Sequence, residues 1–336
     1  MAVQKIDILQ FLALSEKHPV LDVRSPSEYA HAHIELAISL PLFTDEERKI
    51  VGTAYKQESR ENAIKIGLEY FGPRMRQIVE EVEALNSKTI LVHCWRGGMR
   101  SGAIAWLLDL YGFTVYSLEG GYKAYRNWII NQFEENHNLK IVGGYTGSAK
   151  TLLLHKLEME GHSIIDLEAL ANHKGSALGG IGLPPQHSQE MFENLLGTDL
   201  FKKQGKKPLF VEDESQRIGN TLIPNSFYNQ MKASTVYFLD IPFEARLTYL
   251  VEEYGVLPKD KLADSINRIQ KRLGGLESKN ALTFLEENNM KECFRILLNY
   301  YDKWYLKGSL KKDSLVKIPS ETIDTDINST LLLNAL

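Results

Sequence analysis

Short apolar runs alternate with helical patterns along nearly the whole chain, and this alternation organises it into two α/β series. In the first, from Leu12 to about Arg126, Val20–Val23, Thr89–Val92 and Thr114–Ser117 read as buried strands. Between them, Met75, Ile78, Val79, Val82 and Leu85 recur at helical spacing over Arg74–Leu85. A further helix is predicted from a cap at Ser101 to a stop at Gly112. Asn127–Leu139 is polar and reads as a closing helix and connector. The second series has strands predicted at Lys140–Gly144, Ser163–Asp166, Leu209–Glu212, Thr235–Leu239 and Leu315–Ile318. A long helical region, Met290–Lys307, carries Phe294, Leu297, Tyr301 and Trp304. Such alternation implies mostly parallel sheets covered by helices, with ligands beyond the carboxyl ends of the strands. The boundary between the domains is predicted at 130/131, giving 1–130 and 131–336.

Length agrees, since 336 residues give a prior of about two domains. Composition adds mainly exclusions. No apolar run reaches the roughly 18 residues of a membrane span, and the first residues lack the apolar core of a signal peptide. The two cysteines, Cys94 and Cys293, form neither a disulfide framework nor a metal-ligand spacing. A reducing cytoplasm is the expected compartment. The net charge of −4 does not mark the whole molecule as a polyanion binder. Two basic clusters, Lys202/Lys203/Lys206/Lys207 and Arg268/Lys271/Arg272, read as solvated faces, the second also as a candidate lid.

The candidate chemistry begins at His93-Cys94-Trp95-Arg96-Gly97-Gly98-Met99-Arg100-Ser101. A strand delivers one cysteine into a Gly-rich loop that opens a helix. Converging loop N–H groups, the helix dipole, Arg96 and Arg100 all favour a thiolate, the nucleophilic form. Downstream, Gly144-Tyr-Thr-Gly147-Ser148-Ala149-Lys150-Thr151 follows a strand and opens a helix, as a phosphate-cradling P-loop does. Ala149 stands where that pattern has glycine, and the loop is expected to form with φ kept negative there. Leu209–Glu212 followed by Asp213 and Glu214 offers a Walker B carboxylate. Thr151 and Asp213 are candidate Mg²⁺ ligands.

The first domain resembles the rhodanese family on three pieces in order. These are Leu21-Asp22-Val23-Arg24 through Glu28-Tyr29 to Pro41, the Cys94 loop, and Leu118-Glu119-Gly120-Gly121-Tyr122-Lys123-Ala124-Tyr125. The resemblance implies a structural Asp22–Arg24 ion pair. The loop departs from the common sulfurtransferase pattern, because five residues rather than four separate Cys94 from Arg100. That spacing is also found in cysteine phosphatases, and the larger loop suits phosphate, selenide or selenophosphate. The predicted fold class is therefore α/β, a rhodanese-like domain followed by a P-loop NTPase-like parallel α/β domain.

With Val51-Gly52-Thr53-Ala54-Tyr55-Lys56-Gln57 and Glu212–Gly219, the whole chain resembles the bacterial tRNA 2-selenouridine synthase family. The resemblance implies replacement of sulfur by selenium in 2-thiouridine at the wobble position of the tRNA anticodon loop. Geranyl diphosphate first alkylates the sulfur; selenophosphate, or the enzyme that makes it, then supplies selenium. Gly144, Gly147, Ser148, Lys150, Thr151 and Asp213 are the candidate diphosphate ligands, with Mg²⁺ as an aid. Cys94, Arg96 and Arg100 are the candidate selenation residues, Cys94 carrying selenium or acting directly on that step. Trp95, Tyr55, Lys56, Lys123, Arg126 and Arg217, together with Tyr122, are candidate RNA contacts. Two alternatives remain at this point: a sulfurtransferase fused to a nucleotide-binding domain, and a cysteine phosphatase or kinase-like enzyme.

Overall fold

The structure is a computed structural model in which residues 3–205, 208–307 and 314–336 are described. Lys206 and Lys207 of the first basic cluster, and the side chain of Trp304, lie outside the described residues. The chain forms two compact units. One runs to Gln132 and includes Glu193–Thr198; the other takes Phe133–Phe192 and continues from Asp199. The segment Glu193–Thr198 is one that a single cut at 130/131 does not anticipate.

The first unit is built on five parallel strands: β1 (Gln4–Ile6), β2 (Val20–Asp22), β3 (Ile38–Ser39), β4 (Thr89–His93) and β5 (Thr114–Leu118). Their order is β1-β5-β4-β2-β3. β4 sits at the centre, with Ile90, Leu91, Val92 and His93 all buried, as a strand covered on both faces requires. Leu21, Val23, Ile90, Val92, Ile104, Leu108 and Val115 belong to one core cluster. Cys94 is the first residue beyond the carboxyl end of this central strand.

β1 and β3 are the strands the sequence pattern passes over. Their sequences, Gln4-Lys5-Ile6 and Ile38-Ser39, hold one apolar residue each and so show no apolar run. The Met99–Tyr111 helix corrects the predicted cap. Gly98 is its N-cap, and Ser101 lies inside the first turn. The stop at Gly112 holds, with φ at 112°.

The second unit contains β6 (Leu139–Gly144), β7 (Ser163–Ile165), β8 (Leu209–Glu212), a short antiparallel hairpin of β9 (Arg217–Ile218) and β10 (Thr221–Leu222), β11 (Val236–Asp240) and β12 (Leu315–Pro319). The parallel sheet has the order β12-β11-β6-β8-β7. Strand β6 is therefore central, flanked by β11 and β8, and the Gly144–Thr151 loop leaves its carboxyl end. That is where a doubly wound sheet opens a ligand crevice. The Lys259–Leu273, Gly275–Glu286 and Met290–Lys307 helices add an all-helical layer with its own core around Leu262, Ile266, Leu285 and Phe294.

Candidate functional site

The cysteine loop is held from below by a buried polar stack. Arg24 bonds both carboxylate oxygens of Asp22, the closest at 2.5 Å, and donates to Ala32 O. Its guanidinium lies 3.8 Å from the centre of the Tyr122 ring. The implied Asp22–Arg24 pair is thus present and structural. His93, at the end of β4, is fully buried, and that burial pushes its pKa down to about 4, so the ring is neutral near pH 7.

Above this stack the loop closes against the Gly120-Gly121 turn. Tyr122 N donates to Cys94 O at 2.8 Å and Lys123 N to Trp95 O at 3.0 Å. Gly121 has φ +60°, and a Cβ there would collide with Cys94 O and Gly97 N. The second glycine of the closing motif is required by this approach of two backbones.

Cys94 Sγ lies 3.2 Å from Ser101 Oγ and accepts from Gly98 N at 3.4 Å. Burial raises the thiol pKa. Hydrogen bonds from the Ser101 hydroxyl and from the Ser101 and Arg96 backbone, with the charge of Arg100, outweigh that and hold it below its ordinary value. Ser101, predicted as a cap, is instead a partner of the sulfur. Glu28 is a second residue whose role the sequence pattern misses. It receives Arg100 at 2.6 Å and Arg48 at 3.6 Å. Arg100 is therefore oriented by a carboxylate, whereas Arg96 is exposed and has no such partner among the described residues.

The candidate RNA contacts differ in exposure and in what they already bind. Trp95 is 37% exposed, with its ring 5.7 Å from that of Tyr122. Lys123 is exposed on the rim. Tyr122 is fully buried beneath the loop and is not a rim residue. Arg126 is half-buried and committed to Glu193 at 2.5 Å and Asn194 at 2.6 Å, which removes it from a free basic rim. Tyr55 and Lys56 are exposed near the end of the Asp45–Gln57 helix and make no hydrogen bond or ring contact to the loop among the described residues. Arg217 is exposed on β9 in the second unit.

The phosphate loop corrects one expectation. Ala149 adopts φ +54° and ψ +35°, the left-handed region, rather than a negative φ. Such a conformation costs a non-glycine residue about 1–2 kcal/mol and tends to persist where surrounding structure enforces it. Gly147 has φ +79°, and a Cβ there would press on Leu250 and Arg246 O. Buried Arg246 donates to Thr146 O and Ile241 O, each at 3.0 Å, and pairs with Asp302.

A cavity of about 850 Å³ opens beside this loop. Residues 146–151 line it, along with Asp166, Glu168, Asp213 and Glu214. Lys150 Nζ donates to Gly144 O at 3.2 Å, and Thr151 Oγ1 to Glu168 Oε2 at 3.0 Å. Glu168 N in turn donates to Glu212 Oε1 at 2.9 Å. Burial, with repulsion from Asp166, raises Glu168; burial, with repulsion from Glu168, raises Glu212 and pushes Glu214 up to about 8. Glu168 comes from the Leu167–Ala171 helix, more than 40 residues before the predicted Walker B strand, so motif spacing gives no sign of it. Arg268 of the second basic cluster is not simply solvated, since it donates to Ser265 Oγ at 2.6 Å and reaches Ala177 O at 3.4 Å.

Residues 137–324 match the tRNA 2-selenouridine synthase AAA domain, and residues 8–127 match the rhodanese-like domain. The chain belongs to the tRNA 2-selenouridine synthase family. The tRNA 2-selenouridine synthase of Nitrosomonas europaea is 32% identical, over 91% of this chain and 92% of its own length. That of Hydrogenovibrio crunogenus is 36% identical, over 85% and 88%. That of Shewanella frigidimarina is 34% identical, over 90% and 92%. The fold class is accordingly a rhodanese-like domain followed by a P-loop-type α/β domain, as the sequence implies. No helix among the described residues is long and apolar enough to cross a membrane.

Proposed function

We propose that this protein converts 2-thiouridine to 2-selenouridine at the wobble position of tRNA, in two steps at two sites. The observation that carries the reading is one chain holding both an activated cysteine loop and a phosphate-loop cavity with an apolar wall. In the first step the thiocarbonyl sulfur attacks C1 of geranyl diphosphate, the C–O bond breaks, and diphosphate leaves. Gly144, Gly147, Ser148, Lys150 and Thr151 hold the departing anion with positioned donors and charge. Mg²⁺ typically binds one or two carboxylates plus substrate phosphates, and the oxygen donors Thr151, Asp213 and Glu168 suit that mode. When bound, the ion adds charge stabilisation to the diphosphate; the chain itself supplies Lys150 for the same purpose.

In the second step Arg96 and Arg100 attract selenophosphate to the Cys94 loop. The Cys94 thiolate attacks phosphorus and releases hydrogen selenide, which adds at C2 of the alkylated base and expels geranylthiol. Water then returns the phosphocysteine to thiol and phosphate. No oxidant is consumed, because selenium stays at the selenide level throughout. Trp95 and Lys123 are the rim residues that support docking of unstacked anticodon bases.

Nucleoside analysis of tRNA tests the reading. Cells lacking the protein should lose 2-selenouridine under selenium supply, and its persistence would refute the assignment. With purified protein, Cys94→Ala should block selenation but leave geranylation largely intact, whereas Lys150→Ala should impair geranylation first. Equal loss of both activities in each variant would contradict the division into two sites.

A further inference from the structure

The cavity beside the phosphate loop has two chemically different ends. Lys150, Thr151, Glu168 and Glu214 mark the polar end. Its apolar lining comes from Leu178, Leu250, Tyr254, Phe294, Leu297 and Leu298, Leu250 lying beside Gly147 of the loop and the others contributed outside it. Phe294, Leu297, Leu298 and Tyr301 are spaced i, i+3, i+4, i+7, so a single stripe of the Met290–Lys307 helix forms much of that wall.

Ring contacts give the cavity a direction. Lys174, partly exposed and paired with Glu253, holds its ammonium 5.4 Å from the centre of the Tyr254 ring. The Tyr254 ring is 6.3 Å from that of Phe294. Accessibility falls along this line from Lys174 through half-buried Tyr254 to Phe294 at 1% and Leu298 at 0%. Phe294 and Leu298 also belong to the helical-layer core, together with Leu247, Leu262 and Leu285. Both line the cavity, so its apolar wall there is continuous with that core.

We infer that Phe294 and Leu298 set the length of the hydrocarbon tail that the site accepts. The inference rests on the reading that a prenyl diphosphate binds there. A diphosphate fixed at the loop anchors C1, so each further five-carbon unit extends the tail one step into the apolar end. Methylenes that fit gain from leaving water. A tail that reaches the Phe294 ring must displace a close-packed core, and overpacking is costly. Phe294 is the better stop of the two, because a flat ring backed by core residues has little room to yield.

The test uses full-length protein, tRNA bearing 2-thiouridine, and dimethylallyl, geranyl and farnesyl diphosphates as competing donors. Wild type should favour geranyl over farnesyl. Phe294→Leu, which keeps an apolar core, should raise the farnesyl-to-geranyl ratio of kcat/KM about tenfold, the scale on which apolar pockets discriminate chain length. Leu298→Ala should move the ratio in the same direction. An unchanged ratio in Phe294→Leu with geranyl transfer intact overturns the inference and leaves the reading standing. Absence of transfer from all three donors by wild type removes both. Should Leu298→Ala fail to fold, inhibition of wild type by unreactive analogues of the three donors supplies a second measurement. Farnesyl-length analogues binding more tightly than geranyl-length ones would contradict a stop at Phe294.

Discussion

Ser101 Oγ stands 3.2 Å from Cys94 Sγ, and the same hydroxyl lies 3.2 Å from Gly98 O at the helix N-cap. With Cys94 ionised, Ser101 donates to the sulfur, so the hydroxyl favours the anion at the expense of its backbone partner. Ser101→Ala removes that donor while leaving Arg100 and the loop N–H groups in place. A hydrogen bond to a charged group contributes about 1.5–3 kcal/mol. Alkylation of Cys94 by iodoacetamide near pH 7 should therefore slow about tenfold or more. Its pH profile should move to higher pH. An unchanged profile would show that the loop amides and Arg100 suffice without Ser101.

Gly121 is the point where the cysteine loop and the closing turn leave no room for a methyl group. Gly121→Ala combines a left-handed φ with a collision against Cys94 O and Gly97 N. The first unit should lose about 2–4 kcal/mol of stability, the range of backbone strain plus overpacking. Selenation should fall with it, since the loop amides must shift. Gly98→Ala, where no atom stands in the way of a Cβ, is the comparison. Equal effects from the two changes would defeat the steric account.

How legible each site was depends on whether its parts are local in sequence. The Cys94 loop and the Gly144–Thr151 loop each lie within ten residues, joining one strand to one helix, so residue order alone reveals them. Glu28 and Glu168 escape because their partners arrive from other elements: Arg100 is 72 positions from Glu28, and Glu212 is 44 from Glu168. Strands carrying consecutive apolar residues, such as β2, β4 and β8, stand out, whereas β1 and β3 hold one apolar residue each. The Arg126 pairing with Glu193 is hidden for a related reason. A lone arginine on a polar helical stretch gives no sign of the carboxylate that will occupy it. Ala149 shows the limit of local rules, since tertiary packing of the loop imposes a φ that the residue type disfavours.

His93 predicts an acid limit for the first unit. Its folded pKa of about 4 lies below the ordinary value of 6.5, so between those values the unfolded chain binds a proton that the folded one does not. Stability therefore rises with pH across this window, is complete above 6.5, and is lost as pH falls toward 4. At about 1.4 kcal/mol per unit, the difference amounts to about 3 kcal/mol. Urea unfolding followed by tryptophan fluorescence should show it, since Trp95, Trp106 and Trp128 report on this unit. His93→Asn should flatten the profile between pH 6.5 and 4. A slope equally steep in that variant would assign the effect to other groups.

Ala149→Gly tests whether the left-handed residue in the phosphate loop stores strain. Glycine removes a steric cost of about 1–2 kcal/mol and adds unfolded-state entropy of about 0.5–1 kcal/mol. The net expectation is a small stabilisation, at most about 1 kcal/mol. Diphosphate affinity should stay within about twofold, because the backbone conformation is already that of glycine. Calorimetry with inorganic diphosphate checks the second part. Loss of stability in Ala149→Gly would mean that the Ala149 side chain, which is buried, contributes more by packing than it costs in strain.

Arg246 and Asp302 make the phosphate loop depend on the helix that lines the apolar end of the cavity. The guanidinium is 3% exposed and takes both Asp302 oxygens, at 2.9 and 2.7 Å. It also holds Thr146 O, and its face lies 4.8 Å from the centre of the Tyr145 ring. Asp302 follows Leu298 by one helical turn. Removing one partner of a buried ion pair leaves the other charge uncompensated and costs about 3–5 kcal/mol. Asp302→Asn should therefore destabilise the second unit, yet its amide oxygen still accepts one hydrogen bond from Arg246. Asp302→Leu, which accepts none, should cost more. Arg246→Lys keeps the charge but loses the fork that reaches Thr146, Ile241 and Asp302 together. It should weaken inorganic diphosphate binding about tenfold even where the protein remains folded, because Thr146 directly precedes Gly147, one of the loop residues proposed to hold the anion. Diphosphate titrations of folded Arg246→Lys that match wild type would show that the pair stabilises the helical layer without positioning the loop.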